Sequence, residues 1–476
     1  MKGTIIMSDK TKGQLLKEEL FYKKKSAFEL KSAEDLAKAK AYAADYAAWL
    51  DESKTEREAV TASIAMLEKA GFREYKLGEA LTAGDNVYLN NRGKNLFVIH
   101  VGSEPIENGV RICAAHIDAP RIDLKQHPLY ENDGFGYFKT HYYGGIRKYQ
   151  WATIPLALHG VVTKADGTTV NVRIGDEAGD PVFCITDLLP HLAKDQNGRP
   201  LGSAFTGEGL NIVMATSPYI EEDGKVTPAD EKTKLNVMIM LYEKYGITES
   251  DFMSAELSIV PAQNSVDVGL DRWLIGAYGH DDRVCSYPAL TALVETKDSV
   301  HTNIAVLADK EETGSDGVSG MQCCLLVDLI SELASNLGGN ANVVRMNSKC
   351  LSADVTACYD PNYAEVFERR NSSLLHCGVG LSKYTGSGGK GGTNDTSAEY
   401  VAFVRKIFDD AGVIWQTAEL GKVDQGGGGT VAKYISNQNI DTVDIGVPVL
   451  SMHAPFECIS KSDLYEAHLA FAAFCK

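Results

Sequence analysis

Five segments carry histidine or acidic residues whose types and spacing could do chemistry. They are His116 and Asp118 in AAHIDAPR, Asp281 and Asp282 in GHDDRVCS, Glu311 and Glu312 in LADKEETGSDG, Asp354 in LSADVTA and His453 in LSMHAP. Histidine and carboxylate are the ligands zinc accepts where thiolates are absent. A hydrolase working through two metal ions needs about five such ligands, one carboxylate to bridge the ions and another kept off them as a base. The pair Glu311-Glu312 suits that division, because neighbours in one loop can diverge, one to a metal and one to the attacking water. A single HxD, DD or EE is common in any sequence. Their joint occurrence, each after a strand-like run, selects this chemistry.

Other chemistries find little support. The ten cysteines form no CxxC pair and only Cys323-Cys324 are adjacent, which predicts buried reduced thiols in a reducing compartment. The glycine-rich stretches KYTGSGGKGGTND (383–395) and KVDQGGGGT (422–430) hold no GxxxxGK[ST] loop, and no GxGxxG opens a helix. They read as loops whose backbone can come close to an extended substrate.

The elements that must position these residues follow from periodicity. Residues 14–70 have apolar positions at helical spacing with many Ala, Lys and Glu, and residues 231–246, 320–337 and 396–412 also predict helices. LFVIHV (96–101), VRICAA (110–115), ELSIVPA (256–262), NIAVLAD (303–309) and VPVLSMH (447–453) predict strands. The alternation implies an α/β sheet with helices on both faces, and such sheets gather ligand sites beyond the carboxyl ends of their strands. From about residue 119 the character changes to aromatic clusters and alternating segments such as TTVNVRIG. Residues 119–266 therefore read as an inserted β-rich domain, with 1–118 and 267–476 forming one discontinuous catalytic domain.

With 476 residues, 44% of them apolar, the chain can bury two or three domains' worth of core. Its net charge of -17 argues against nucleic acid and anionic membranes as partners. It also repels acidic substrates, so a preference for them would demand a local cation. The N-terminus lacks a signal-peptide pattern and no run reaches the roughly 20 apolar residues of a membrane span, so a cytoplasmic location is expected.

These motifs, in this order, together with both glycine loops, resemble the aspartyl aminopeptidase-like family of dinuclear zinc metallopeptidases, in its bacterial branch, over nearly the whole chain. The resemblance implies a mixed-sheet sandwich catalytic domain of zinc-peptidase type, with the inserted domain serving dimerisation and as a lid. It implies two divalent ions, by default Zn2+ with Co2+ or Mn2+ as alternatives. His116 and His453 would each ligate one ion, Asp281 would bridge the two and be joined to Asp282 by a cis peptide, and Glu312 and Asp354 would each take one. Glu311 would be the general base, Asp118 would orient His116, and Asp282 would support Asp281 from outside the ligand set. Lys383 is expected near the substrate pocket, with Lys390 a weaker candidate, and His159 is expected to reach a neighbouring subunit's active site. Peptide substrates and a homo-oligomer, a tetrahedral dodecamer, complete the implication. Relatives prefer N-terminal Asp or Glu. Departures at Asp282 and in ADVTACYDPNY fall near the pocket and leave a neutral or broad preference open. A carboxypeptidase, dipeptidase or amide deacylase would share most of these ligands, and a silent scaffold would be expected to lack some.

Overall fold

In a computed structural model, which describes residues 10–476, the residues of the five segments sit at one end of a nine-stranded mixed sheet. Its centre is four parallel strands in the spatial order Asn303–Ala308, Arg111–His116, Lys349–Ala353 and Asp441–Gly446. The strand Asn95–His100 pairs antiparallel with Asn303–Ala308, and Val379–Ser382 runs antiparallel to Asp441–Gly446. The central strands are apolar on both faces because both faces are covered. Cys113, Ala115, Leu351 and Val443 join one core with the helices Ala33–Asp51, Glu56–Lys69, Ala398–Ala411 and Lys461–Phe474. Ile112, Ala114, Ile304 and Cys350 join another, beneath Leu325–Asn336.

The helical reading of 14–70 holds in kind but not in continuity. Four helices occupy the stretch, Lys12–Leu20, Ala27–Leu30, Ala33–Asp51 and Glu56–Lys69, each opened by a reciprocal capping box on Thr11, Ser26, Ser32 or Thr55. Hydroxyl caps satisfy amides that a continuous helix would have bonded itself, so each start sets a break. The expected helix at 320–337 begins only at Leu325, and the expected strand at 447–453 stops at Leu450. Ser451 and His453 instead have φ of 58° and 65°, a turn that carries His453 out of the sheet.

A six-stranded antiparallel sheet is built wholly within residues 121–261, in the order Thr169–Ile174, Leu156–Thr163, Ala255–Pro261, Arg121–Asn132, Phe135–Tyr143 and Ile212–Ala215. It has its own apolar core, including Phe138, Trp151, Leu158 and Ile259. The hairpin joining Arg121–Asn132 to Phe135–Tyr143 turns on Asp133-Gly134, both with positive φ, the two-residue geometry that matches strand twist. That hairpin delivers Gly144 and Gly145 back to the end of the large sheet.

Candidate metal centre

The carboxyl ends of the four central strands supply most of the site. His116 ends its strand, Glu311 and Glu312 follow Asn303–Ala308 by a short turn, Asp354 follows Lys349–Ala353, and His453 lies beyond Asp441–Gly446. Asp281 and Asp282 come from the start of the helix His280–Glu295, where their backbone is not yet helical, and the peptide between them is cis. Asp281 is central. Its Oδ1 lies 3.3 Å from His116 Nε2 and its Oδ2 lies 3.1 Å from His453 Nε2. Asp354 Oδ1 and Glu311 Oε2 stand 3.9 and 3.8 Å from His116 Nε2, and Glu312 Oε1 stands 3.6 Å from His453 Nε2.

Three overlapping trios bring their ligand atoms within 4.8 Å of one another: His116–Asp281–Glu312, His116–Glu311–Asp354 and Asp281–Asp282–Asp354. The arrangement is costly without cations. Burial first, then the Asp354 charge, pushes Glu311 up to about 8, and burial with the Asp281 charge pushes Glu312 far above the usual carboxylate range. Burial alone would lower His453, yet Asp281 and Glu312 carry it up to about 11. His116 Nε2, Asp281 Oδ1, Asp282 Oδ1 and Glu312 Oε1 are buried with no hydrogen-bond partner. Buried polar atoms rarely go unsatisfied, and a cluster of orphaned nitrogen and carboxylate oxygen atoms facing one another suits divalent cations.

The aminopeptidase I zinc metalloprotease (M18) family model matches residues 49–475. This chain belongs to the M18 aminopeptidase family. It is 47% identical over 435 residues to a probable M18 family aminopeptidase 1 of Clostridium acetobutylicum, covering 90% of this chain and 92% of that one. A crystal structure of an M18 aminopeptidase from Thermotoga maritima superimposes with a TM-score of 0.90 at 40% identity, over 96% of this chain and 100% of the other. The crystal structure of aminopeptidase I from C. acetobutylicum gives 0.89 at 41% identity, over the same shares. The fold is therefore the M18 architecture of mixed α/β sheets, and the protein is a metallo-aminopeptidase with a candidate dinuclear centre.

Within this M18 site a layer of hydrogen bonds holds the cluster residues in place. The Asp118 carboxylate faces His116 Nδ1 at 3.2 Å, accepts the backbone amides of Glu311 and Glu312 at 3.1 and 3.2 Å, and accepts the Tyr143 hydroxyl at 2.8 Å. Asp282 Oδ2 accepts the His116 amide at 3.2 Å. Glu457, which sequence reasoning missed, is buried and accepts the amides of Asp281 and His453 at 3.1 and 2.6 Å. Its signal was its place four residues after His453 in SMHAPFE. Gly145 was also missed: its carbonyl lies 2.9 Å from His453 Nδ1, and a Cβ there would crowd that ring at 3.3 Å.

The cluster opens into a cavity of about 390 Å³ whose far walls include Ser382, Tyr384, Leu420, Thr430 and Asp444. Two expected substrate residues are not in it. Lys383 is paired with Asp395 at 2.5 Å, and Lys390 pairs with the other oxygen of Asp395 and covers the Tyr384 ring. Ser382, the last residue of its strand, lines the cavity, and Lys383 just beyond the strand stands outside it beside Asp395. His159 is fully buried within its own chain, 2.8 Å from Glu58 and 2.9 Å from Asp176, and Lys54 completes the group by pairing with Asp176. It ties the β-rich segment to the helix Glu56–Lys69 within its own chain.

Proposed function

We propose that the protein removes the N-terminal residue of peptides by attack of a water activated at two zinc ions, with Glu311 as general base. The observation that supports this most directly is Asp281, whose two oxygens face two different histidines as a bridging carboxylate requires. His116 with Asp354, and His453 with Glu312, would hold the individual ions, and Asp118, Asp282 and Glu457 would fix their orientation. Bound there, the ions lower the pKa of water toward neutrality and polarise the scissile carbonyl. Glu311 then takes the proton from the attacking water and hands it to the leaving amine, since its carboxylate is not needed as a ligand. The ligand carboxylates give a free α-amino group a negatively charged seat, which limits the cut to the first peptide bond.

Residues 119–266 would form the dimerisation unit of a homo-oligomer. A Saccharomyces cerevisiae protein of the same fold, 22% identical, is described as a dodecamer, and the equivalent assembly is the reading we adopt. The side chain removed is a separate matter from the cut. Preference for Asp or Glu would need a cationic side chain in the cavity, and among the described residues no Lys or Arg lines it. The test of the reaction is a set of peptides with free and acetylated N-termini, assayed with and without a chelator. Cleavage only of free-amine peptides, lost with chelator and restored by zinc, is the expected result. Cleavage of the blocked peptides would point instead to a deacylase or endopeptidase.

A further inference from the structure

The cavity beside the metal cluster is lined by the ligand carboxylates and by residues of the strands Val379–Ser382 and Asp441–Gly446 in the large sheet. A peptide whose α-amine sits at the ligands would direct its first side chain toward those strands. There Ser382 and Asp444 are directly opposite each other on the antiparallel strands Val379–Ser382 and Asp441–Gly446, so their side chains share a face. Both line the cavity. Asp444 is buried: its Oδ1 accepts the Thr430 hydroxyl at 2.7 Å, while its Oδ2 has no partner. Around them stand the hydroxyls of Thr356 and Thr385 and the apolar Leu420 and Met452.

Among the described residues no Lys or Arg stands in that lining to neutralise an incoming carboxylate, and its one histidine, His453, faces Asp281 and Glu312 in the metal cluster. The nearest lysine in sequence, Lys383, lies outside the lining and is held by Asp395. A carboxyl such as Asp444, ionised or protonated, brings no positive charge, and the ionised form would stand as a like charge beside a substrate Asp or Glu. The whole chain's charge of -17 works in the same direction. Hydroxyls and apolar walls instead match a neutral side chain.

The geometry points to a preference for neutral N-terminal residues and exclusion of Asp and Glu, set by the Ser382–Asp444 pair at the cavity wall. This rests on the aminopeptidase reading above and names its substrate class. Isosteric pairs isolate the charge. The zinc-loaded enzyme is assayed at pH 9 on peptides alike except for N-terminal Gln or Glu, and Asn or Asp. The expected kcat/KM favours Gln over Glu by on the order of 100-fold, the scale on which one mismatched group in a pocket discriminates. In the double variant Ser382→Lys, Asp444→Asn, a free cation replaces the carboxyl. The Gln:Glu ratio should then fall at least about tenfold, with thermal melting checking that the variant folds.

Equal rates for Gln and Glu in the unaltered enzyme would overturn the proposal. A wild-type preference for Gln that the folded double variant leaves untouched would overturn the assignment to Ser382 and Asp444. Absence of turnover on every free-amine peptide would defeat the aminopeptidase reading itself, a separate failure.

Discussion

The Asp118 carboxylate accepts the backbone amide of Glu311 at 3.1 Å. The same group faces His116 Nδ1, so one buried acid registers the proposed base against a proposed ligand on the neighbouring strand. Asp118→Asn must turn an NH2 toward one of these groups. We expect zinc affinity to fall about 10–100-fold, read by competition with a chromophoric chelator, as for other residues that orient metal ligands.

Glu311→Gln tests the base directly. The amide is isosteric but cannot take a proton, so kcat should fall by about 10²–10⁴ while two zinc ions per chain remain bound. Metal content by elemental analysis beside kcat separates the two effects. A variant that keeps its turnover would remove Glu311 from the role.

The metal-free protein should lose stability as pH rises from about 5 to 9. Burial pushes Asp309 and Asp463 up to about 7 and Asp444 and Glu457 up to about 8. Their unfolded values are about 4. Between those limits the folded chain binds more protons than the unfolded chain, so each contribution is fully present below pH 4 and is lost as pH climbs through 7 to 8. Melting temperatures in chelator across this range should therefore fall. Zinc should flatten the decline, because bound cations keep neighbouring carboxylates ionised.

His159→Ala should cost about 3 kcal/mol in denaturant unfolding, since it removes a fully buried side chain that joins the half-buried Glu58 to the buried Asp176 carboxylate. Below the unfolding temperature, kcat/KM should hold steady. A large loss of activity in a fully folded variant would restore His159 to an active site.

Much of this was readable in the linear chain. Apolar runs ending on His116 and before Glu311 predicted strands of an α/β sheet delivering polar residues to one edge, and the sheet pairs those two strands side by side in parallel. What could not be read was anything set by pairing between distant segments. Glu457 looks like one more surface acid until its two oxygens are seen to hold amides from different segments. Lys383 and Ser382 are adjacent letters, and only the folded chain shows that Ser382 lines the cavity while Lys383 pairs with Asp395 outside it. The breaks in the N-terminal helices were visible in principle at Ser32 and Thr55, where hydroxyl and acid stand three apart, but apolar spacing continued across them.

The contact between the Gly145 carbonyl and His453 Nδ1 joins two parts of the chain 308 residues apart. Its acceptor comes from the β-rich segment and its ring from the turn after the strand Pro448–Leu450. A pared-down catalyst made by excising residues 119–266 would thus keep every proposed ligand and base yet release the imidazole of His453 to spin. The segment that looks like an accessory is a jig for the metal.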